Sequence, residues 1–378
     1  MRVAVAVGLA VASVVAPGTP ASAAPAWRVV PTAAGMAFGN VLAVRCPSDT
    51  ICFAVGNRDN PHSQTTMAQR WNGTKWVALA TPNPSGAVSS QLTSVVCPTT
   101  SSCFAVGQYN TIAPTTKTLV MRWNGQAWSI VPSPNVASSP VNLLASIACT
   151  SATSCIAVGS SFVSTPDSSA QQTLIEQWNG STWSIVASPN QPLARDSVLS
   201  GVACQNPTSC FAVGNYTNQL VTSTLTEHWD GATWSIVPSP NPASSTANEL
   251  VGVTCSTINC VAVGKGHGTL VEVWNGTIWG IVPSQNPAGS SGSSLNSVSC
   301  PVVAQCFAVG VQFKSTKVHR LVEVIPPTGG AKIVNVPAPP GETQSNLAGV
   351  TCRNASSCFA VGNYRTGTSR RPLFERYS

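Results

Sequence analysis

Fourteen cysteines fall in seven close pairs, Cys46/Cys52, Cys97/Cys103, Cys149/Cys155, Cys204/Cys210, Cys255/Cys260, Cys300/Cys306 and Cys352/Cys358, with none left over. The first member of each pair recurs every 45 to 55 residues, a period that points to a propeller or another repeat array. The chain must therefore build one supersecondary unit seven times, and whatever it does has to be done on that scaffold.

Each unit contains four short apolar runs separated by turn residues. In the second they are "LTSVVC" (92–97), "CFAVGQ" (103–108), "LVMRWNG" (119–125) and "WSIVPSPN" (128–135). Runs this short, rich in Val, Ile, Phe and Trp and bounded by Pro, Gly and Asn, are strands rather than helices, and four of them make a propeller blade. The expected fold is all-β: a seven-bladed β-propeller with four antiparallel strands per blade and essentially no helix. The last unit has "LAGVTC" (347–352), "CFAVGN" (358–363) and "LFERYS" (373–378), then stops one strand short. "WRVVPT" (27–32) has the form of "WSIVPSP" and no three strands of its own before it. Pairing 27–32 with the last blade, 347–378, closes the ring and covers edges that would otherwise invite aggregation.

The start of the chain has the form of a signal peptide over residues 1–23. Met1 and Arg2 are followed by an apolar run from Val3 to Val15, by Pro17 and Pro20, and by Ala21-Ser22-Ala23, a run too short to span a bilayer and ending in a cleavage site. The expected product is a soluble, secreted chain of residues 24–378 with no transmembrane anchor. That compartment permits disulfides, and pairing within each Cys pair, across one hairpin, is the economical arrangement. A loop so short contributes roughly 2 kcal/mol in the chain-entropy picture. Zinc or redox chemistry would need pairs from different loops to converge or histidines at fixed spacing, and neither is repeated.

Hydrophobic residues make up 43% of the chain and recur in a strict pattern, which excludes disorder. Charged residues make up 8%, against about a quarter in a typical globular protein, so the expected surface is polar and mostly uncharged. The third and fourth strands meet at Trp-Asn-Gly-x-x-Trp, with Asp230 for Asn in unit four. Asn-Gly or Asp-Gly specifies the turn and brings a Trp pair together across it. Such pairs are either sugar-stacking platforms or inter-blade packing. Repetition at one place in five units favours packing, and unit six keeps Ile325 and Ile333 there without rings.

The stretch "EHWDGATWSIV" (227–237) resembles the Asp-box hairpin of sialidase-type and related kelch-like bacterial propellers. Nearly the whole mature chain resembles the uncharacterised secreted bacterial proteins built from "CFAVG" and "WNGxxWSIVPSPNP" units. The resemblance implies the propeller fold and its strand order. It does not imply sialidase activity, because no residues match that family's arginine cluster, Tyr/Glu nucleophile pair or acid/base. Glu176, Glu227, Glu272, Glu323 and Glu375 share one register in the third strand, where units one and two have Gln69 and Met121. One acid per unit at one register is a repeated structural position, hydrogen-bonded or solvent-facing, rather than a catalytic pair.

Function is expected on the other face, where the second-to-third and fourth-to-first loops are long and different in every unit. Between residues 311 and 378 there are nine Lys and Arg against three Glu, six of the chain's net +7 charges. The loops 311–320 and 363–372 contribute Lys314, Lys317, Arg320, Arg365, Arg370 and Arg371, and ring closure adds Arg58 and His62. This basic arc is the candidate binding site, for a glycan, an anionic cell-envelope polymer or a protein partner. Nucleic acid is not expected, given export and the absence of a nucleic-acid motif. A noncatalytic binding module, monomeric and without metal or cofactor, is the leading expectation. The alternative is a polysaccharide hydrolase or lyase at the central mouth, for which Asp59, Asp167, Asp196, Glu249 and Glu342 are the available loop acids.

Overall fold

The computed structural model describes residues 25–378 except 37, 62, 114, 165–168, 303 and 304. Residues 1–23, where a signal peptide is expected, His62 and Asp167 therefore lie outside the described residues. Among the described residues there is no helix, and within each unit the strands pair antiparallel. Unit two is typical, with strands Ala87–Thr99, Ser102–Thr111, Thr116–Trp123 and Trp128–Val131 in spatial order. Units one to three run together into one 12-stranded sheet through single parallel contacts at Gln64–Ser89 and Thr116–Val141. The strand Trp27–Val29 pairs antiparallel with Ser369–Tyr377, setting Trp27 opposite Tyr377, so both chain ends share one sheet.

Burial follows strand position. The second strand, "CFAVG", is buried along its length because sheets pack on both of its faces. The fourth strand buries its leading Trp and exposes the next residues. The first strand alternates, with one side towards a central cavity lined by the first strands of all seven units. Core clusters form between successive units, not within them: Phe53, Val55 and Ala68 pack with the inner residues of unit two, and Phe359, Val361 and Phe374 of unit seven pack with those of unit one.

All seven disulfides form within their pairs: Cys46–Cys52, Cys97–Cys103, Cys149–Cys155, Cys204–Cys210, Cys255–Cys260, Cys300–Cys306 and Cys352–Cys358. The pairing is the local one expected, and the bridges lie deep in the fold. The second cysteine of every pair, Cys52, Cys103, Cys155, Cys210, Cys260, Cys306 or Cys358, is buried, because it opens the second strand and so lies between two sheets. Of the first cysteines, Cys46 and Cys97 are buried, and Cys149, Cys204, Cys255, Cys300 and Cys352 are half-buried. The sulfur bridges are thus part of the inter-unit core, Cys103 packing in the cluster shared by units one and two and Cys155 in that shared by units two and three. None of the seven offers a surface site for a ligand.

The Trp pairs are inter-sheet packing. Phe104 sits with its ring centre 5.3 and 5.7 Å from Trp178 and Trp183 of the next unit, and Phe359 sits 5.2 and 5.5 Å from Trp71 and Trp76. In the shared terminal sheet Trp27 and Tyr377 supply the pair and receive Phe307. Nine of the ten paired Trp are buried and Trp274 is half-buried, so they offer no open stacking surface for sugars.

Strands are longer than the apolar runs suggest: the first strand of unit two begins at Ala87, ahead of "LTSVVC". It carries a bulge between Leu92 and Ser94, opposite Gly107. A side chain at that glycine would overlap the Gln91 carbonyl, and the matching glycine of each unit meets the same backbone. Gly107→Ala is expected to destabilise the fold by about 1–3 kcal/mol through overpacking, whereas Gly280→Ala, which meets nothing within 4 Å, is expected to be neutral. Denaturant melts of the two variants check this.

Candidate functional site

The five register glutamates are buried at the seams between units. Each of four meets a serine from the preceding unit's "PSPN"-type segment: Ser133 Oγ lies 2.7 Å from Glu176 Oε2, and Ser188, Ser239 and Ser284 stand 2.7 to 2.9 Å from Glu227, Glu272 and Glu323. The serine continues to a threonine, Ser133 to Thr118 at 3.0 Å, and Thr118 donates to the Pro134 carbonyl. These three contacts need three hydrogens, and the two hydroxyls supply two. One contact therefore goes without a hydrogen while the carboxyl is ionised. Burial in the seam pushes Glu176 and Glu227 up to about 8, and Glu272 and Glu323 up to about 7, against the lowering effect of the serine bonds.

The exceptions are matched on both sides of the seam. Unit one has the permanently neutral Gln69, whose Oε1 accepts from Thr32 Oγ1 and the Ala33 amide. Unit two has Met121, and there Thr81 donates to the Thr66 carbonyl instead. Between units six and seven the strand register puts Val336 at the serine position and Arg320 at the threonine position. Arg320 Nε lies 3.0 Å from Glu375 Oε1, an ion pair across the seam, and its Nη1 donates to Glu342 and to Ser345. All three charged side chains are under 10% exposed. Glu375 is raised to about 7 by burial, with Arg320 lowering it and Glu342 raising it.

Arg320 is therefore placed apart from the rest of the expected arc: its charge is spent inside the protein. Lys314 and Lys317 are exposed and face each other across the tip of the unit-six hairpin. Arg371 is exposed opposite Tyr364. Arg58, Arg365 and Arg370 are brought together in one groove of about 1150 Å³ between units seven and one. Its walls also carry Phe38, 56% exposed, and Val88. Arg365 and Arg370 are cross-strand partners, an arrangement of like charges that destabilises a hairpin unless compensated. Asp59 is the one acid lining the groove, and its Oδ1 is taken by the Asn57 and Gln64 amides. Among the described residues none of the three arginines has an acidic partner, and Arg370 Nη1 donates to Asn40 Oδ1. Phe38 has no counterpart in the repeat, so periodicity gave no signal for it.

The other loop acids are engaged locally: Asp196 with Arg195 and the Gln171 amide, Glu249 with Lys265, and Glu342 with Arg320. The central cavity, about 560 Å³, is lined by small apolar, Ser and Thr residues, with Arg45 as the one charged side chain in its wall.

No known family's sequence profile matches the chain, and no curated protein sequence matches it. Solved structures do share its fold. YCF48 bound to D1 peptide superposes with a TM-score of 0.56 at 13% identity, over 95% of this chain and 99% of that one. The GH74 xyloglucanase of Xanthomonas campestris gives 0.57 at 13%, over 92% of this chain and 55% of that one. Sqt1 of Chaetomium thermophilum gives 0.50 at 9%, over 92% and 96%. The fold is of the β-propeller type. At these identities the likeness carries no activity.

Two outcomes follow from the seams. The folded chain holds protons that the unfolded chain releases between about pH 4.5 and the folded values of 7 to 8, so stability is highest below that window and falls as pH rises through it, by up to about 1.4 kcal/mol per unit for each group. Thermal melts from pH 5 to 9 are expected to show this fall, and Glu176→Gln with Glu227→Gln to flatten it. Arg320→Met, which leaves two buried carboxylates unpaired, is expected to destabilise by about 3–5 kcal/mol; Lys314→Gln is expected to stay within about 0.5 kcal/mol in the same melts.

Proposed function

We propose that the chain is an exported, noncatalytic binding module, led by a signal peptide over 1–23 and folded over 24–378 as a closed seven-bladed β-propeller. It recognises a glycan or an anionic cell-envelope polymer through the face that carries the second-to-third loops. The packing of the unit-one first strand against those of both unit two and unit seven supports closure, as does the seat of Phe359 on Trp71 and Trp76. Seven disulfides are compatible with export, and among the described residues no helix is long and apolar enough to cross a membrane. The "CFAVG" and "WNGxxWSIVPSPNP" units align the chain with secreted bacterial repeat proteins of this type.

The meeting of Arg58, Arg365 and Arg370 without an acidic partner carries the proposal. Hydrolysis draws no comparable support: the central wall has no carboxylate, and the register glutamates are sealed in the seams. The test is binding of the purified protein to an array of neutral and anionic glycans and wall polymers at two salt concentrations. Binding to anionic members that weakens with salt, and is lost in a variant with Lys314, Lys317, Arg370 and Arg371 changed to Gln, is the expected result. Binding to neutral members alone overturns the arginine groove as the site, and binding to none overturns the binding module.

A further inference from the structure

We infer that the groove between units seven and one is a subsite for one acidic sugar residue, its oxyanion held by Arg365 and Arg370 with Arg58 and its ring laid against Phe38. This rests on the binding-module proposal and narrows it to one place and one chemistry.

The charges come first. Cross-strand partners in an antiparallel pair sit about 4.5–5.5 Å apart at Cα, so the side chains of Arg365 and Arg370 leave the hairpin side by side. Two guanidinium groups held this way repel each other until an anion lies between them, and their planar forks fit carboxylate and phosphate oxygens better than a lysine ammonium does. Arg370 is steadied from unit one by Asn40, and Arg58 comes from the opposite wall. Asp59, the acid already in the groove, accepts at Oδ1 from two amides of its own unit, and among the described residues it forms no ion pair with Arg58, Arg365 or Arg370.

The remainder of the lining decides what carries the anion. Asn60, Gln64 and Ser369 offer neutral donors and acceptors suited to hydroxyl groups, while exposed Phe38 supplies an apolar face. An extended acidic peptide would seek an unpaired strand edge. Arg58, Arg365 and Arg370 instead stand on second and third strands that are already paired with each other. Hydroxyl partners, one apolar wall and a doubly basic corner together match a pyranose bearing one oxyanion.

The test is titration of the purified protein with an oligogalacturonate, its methyl ester, an oligomeric sugar phosphate and a glutamate-rich peptide of equal charge. Binding of the oligogalacturonate, the sugar phosphate or both, weakened about tenfold or more by Arg365→Gln and by Arg370→Gln, is expected; which of the two binds identifies the oxyanion. Phe38→Ala and Arg365→Lys, which leave the hairpin charge intact, are each expected to weaken binding as well, and unchanged melting temperatures separate lost contacts from lost folding. Equal binding of the methyl ester, or binding of the peptide alone, overturns the subsite. If acidic glycans bind but affinity falls in Lys314→Gln with Lys317→Gln and not in Arg365→Gln, the subsite is wrong while the wider reading stands. If no acidic glycan binds, the subsite falls, and the array of neutral glycans and wall polymers decides the wider reading.

Discussion

Every sheet in this protein depends on the seam with its neighbour. A single four-stranded unit has two apolar faces and no layer of its own to cover them, so its second strand is buried only when sheets stand on both sides. The seam is filled in two tiers. A phenylalanine from one unit sits against a tryptophan pair of the next, and two residues before the first tryptophan a glutamate meets a serine of the preceding unit, which reaches on to a threonine. The aromatic tier varies: Ile156 of unit three shares a core cluster with an intact pair, Trp229 and Trp234. Where unit six has Ile325 in place of a Trp pair, the residue packed against it from unit five is Val261, not phenylalanine. Where valine takes the serine's place, between units six and seven, an arginine enters.

The division between contacts within a unit and contacts across a seam explains what could be seen in the sequence and what could not. Disulfide partners lie five or six residues apart and Trp partners face each other across one four-residue turn, so spacing alone exposes them. Spacing does not tell that the bridges are buried, because the cover over Cys103 or Cys210 comes from a neighbouring unit about fifty residues away. The glutamate register was equally visible, but Ser133 and Glu176 stand 43 residues apart, and which serine serves which acid depends on the stacking of whole sheets. Arg320 shows the limit most clearly. In a loop with Lys314 and Lys317 its charge reads as surface, and only the stacking of unit seven on unit six sets Glu375 against the guanidinium. Phe38 belongs to no repeat, and strand starts such as Ala87 lie among serines that carry no alternation.

The irregular sector is also where the basic residues gather. Units two to five repeat the seam with little change, while units six, seven and one contain the arginine seam, the shortest fourth strand, Lys332–Ile333, and the sheet shared by both chain ends. Loops on this sector are anchored by unusual contacts, such as Arg370 on Asn40, rather than by the repeated ones. A scaffold so uniform elsewhere can tolerate specialisation in one wedge because each unit leans mainly on its two neighbours.

The sheet formed by Trp27–Val29 with Ser369–Tyr377 has a kinetic meaning. Its partners are separated by nearly the whole chain, so residues synthesised first must wait for residues synthesised last. Hairpins and disulfides within each unit can form as the chain emerges, since their loops are short. Phe307 and Phe359 cannot both find their aromatic partners until the final strand arrives, and the entropy of joining such distant segments must be met in one late step. Local assembly is thus gradual, whereas the last docking is a single event that commits the molecule.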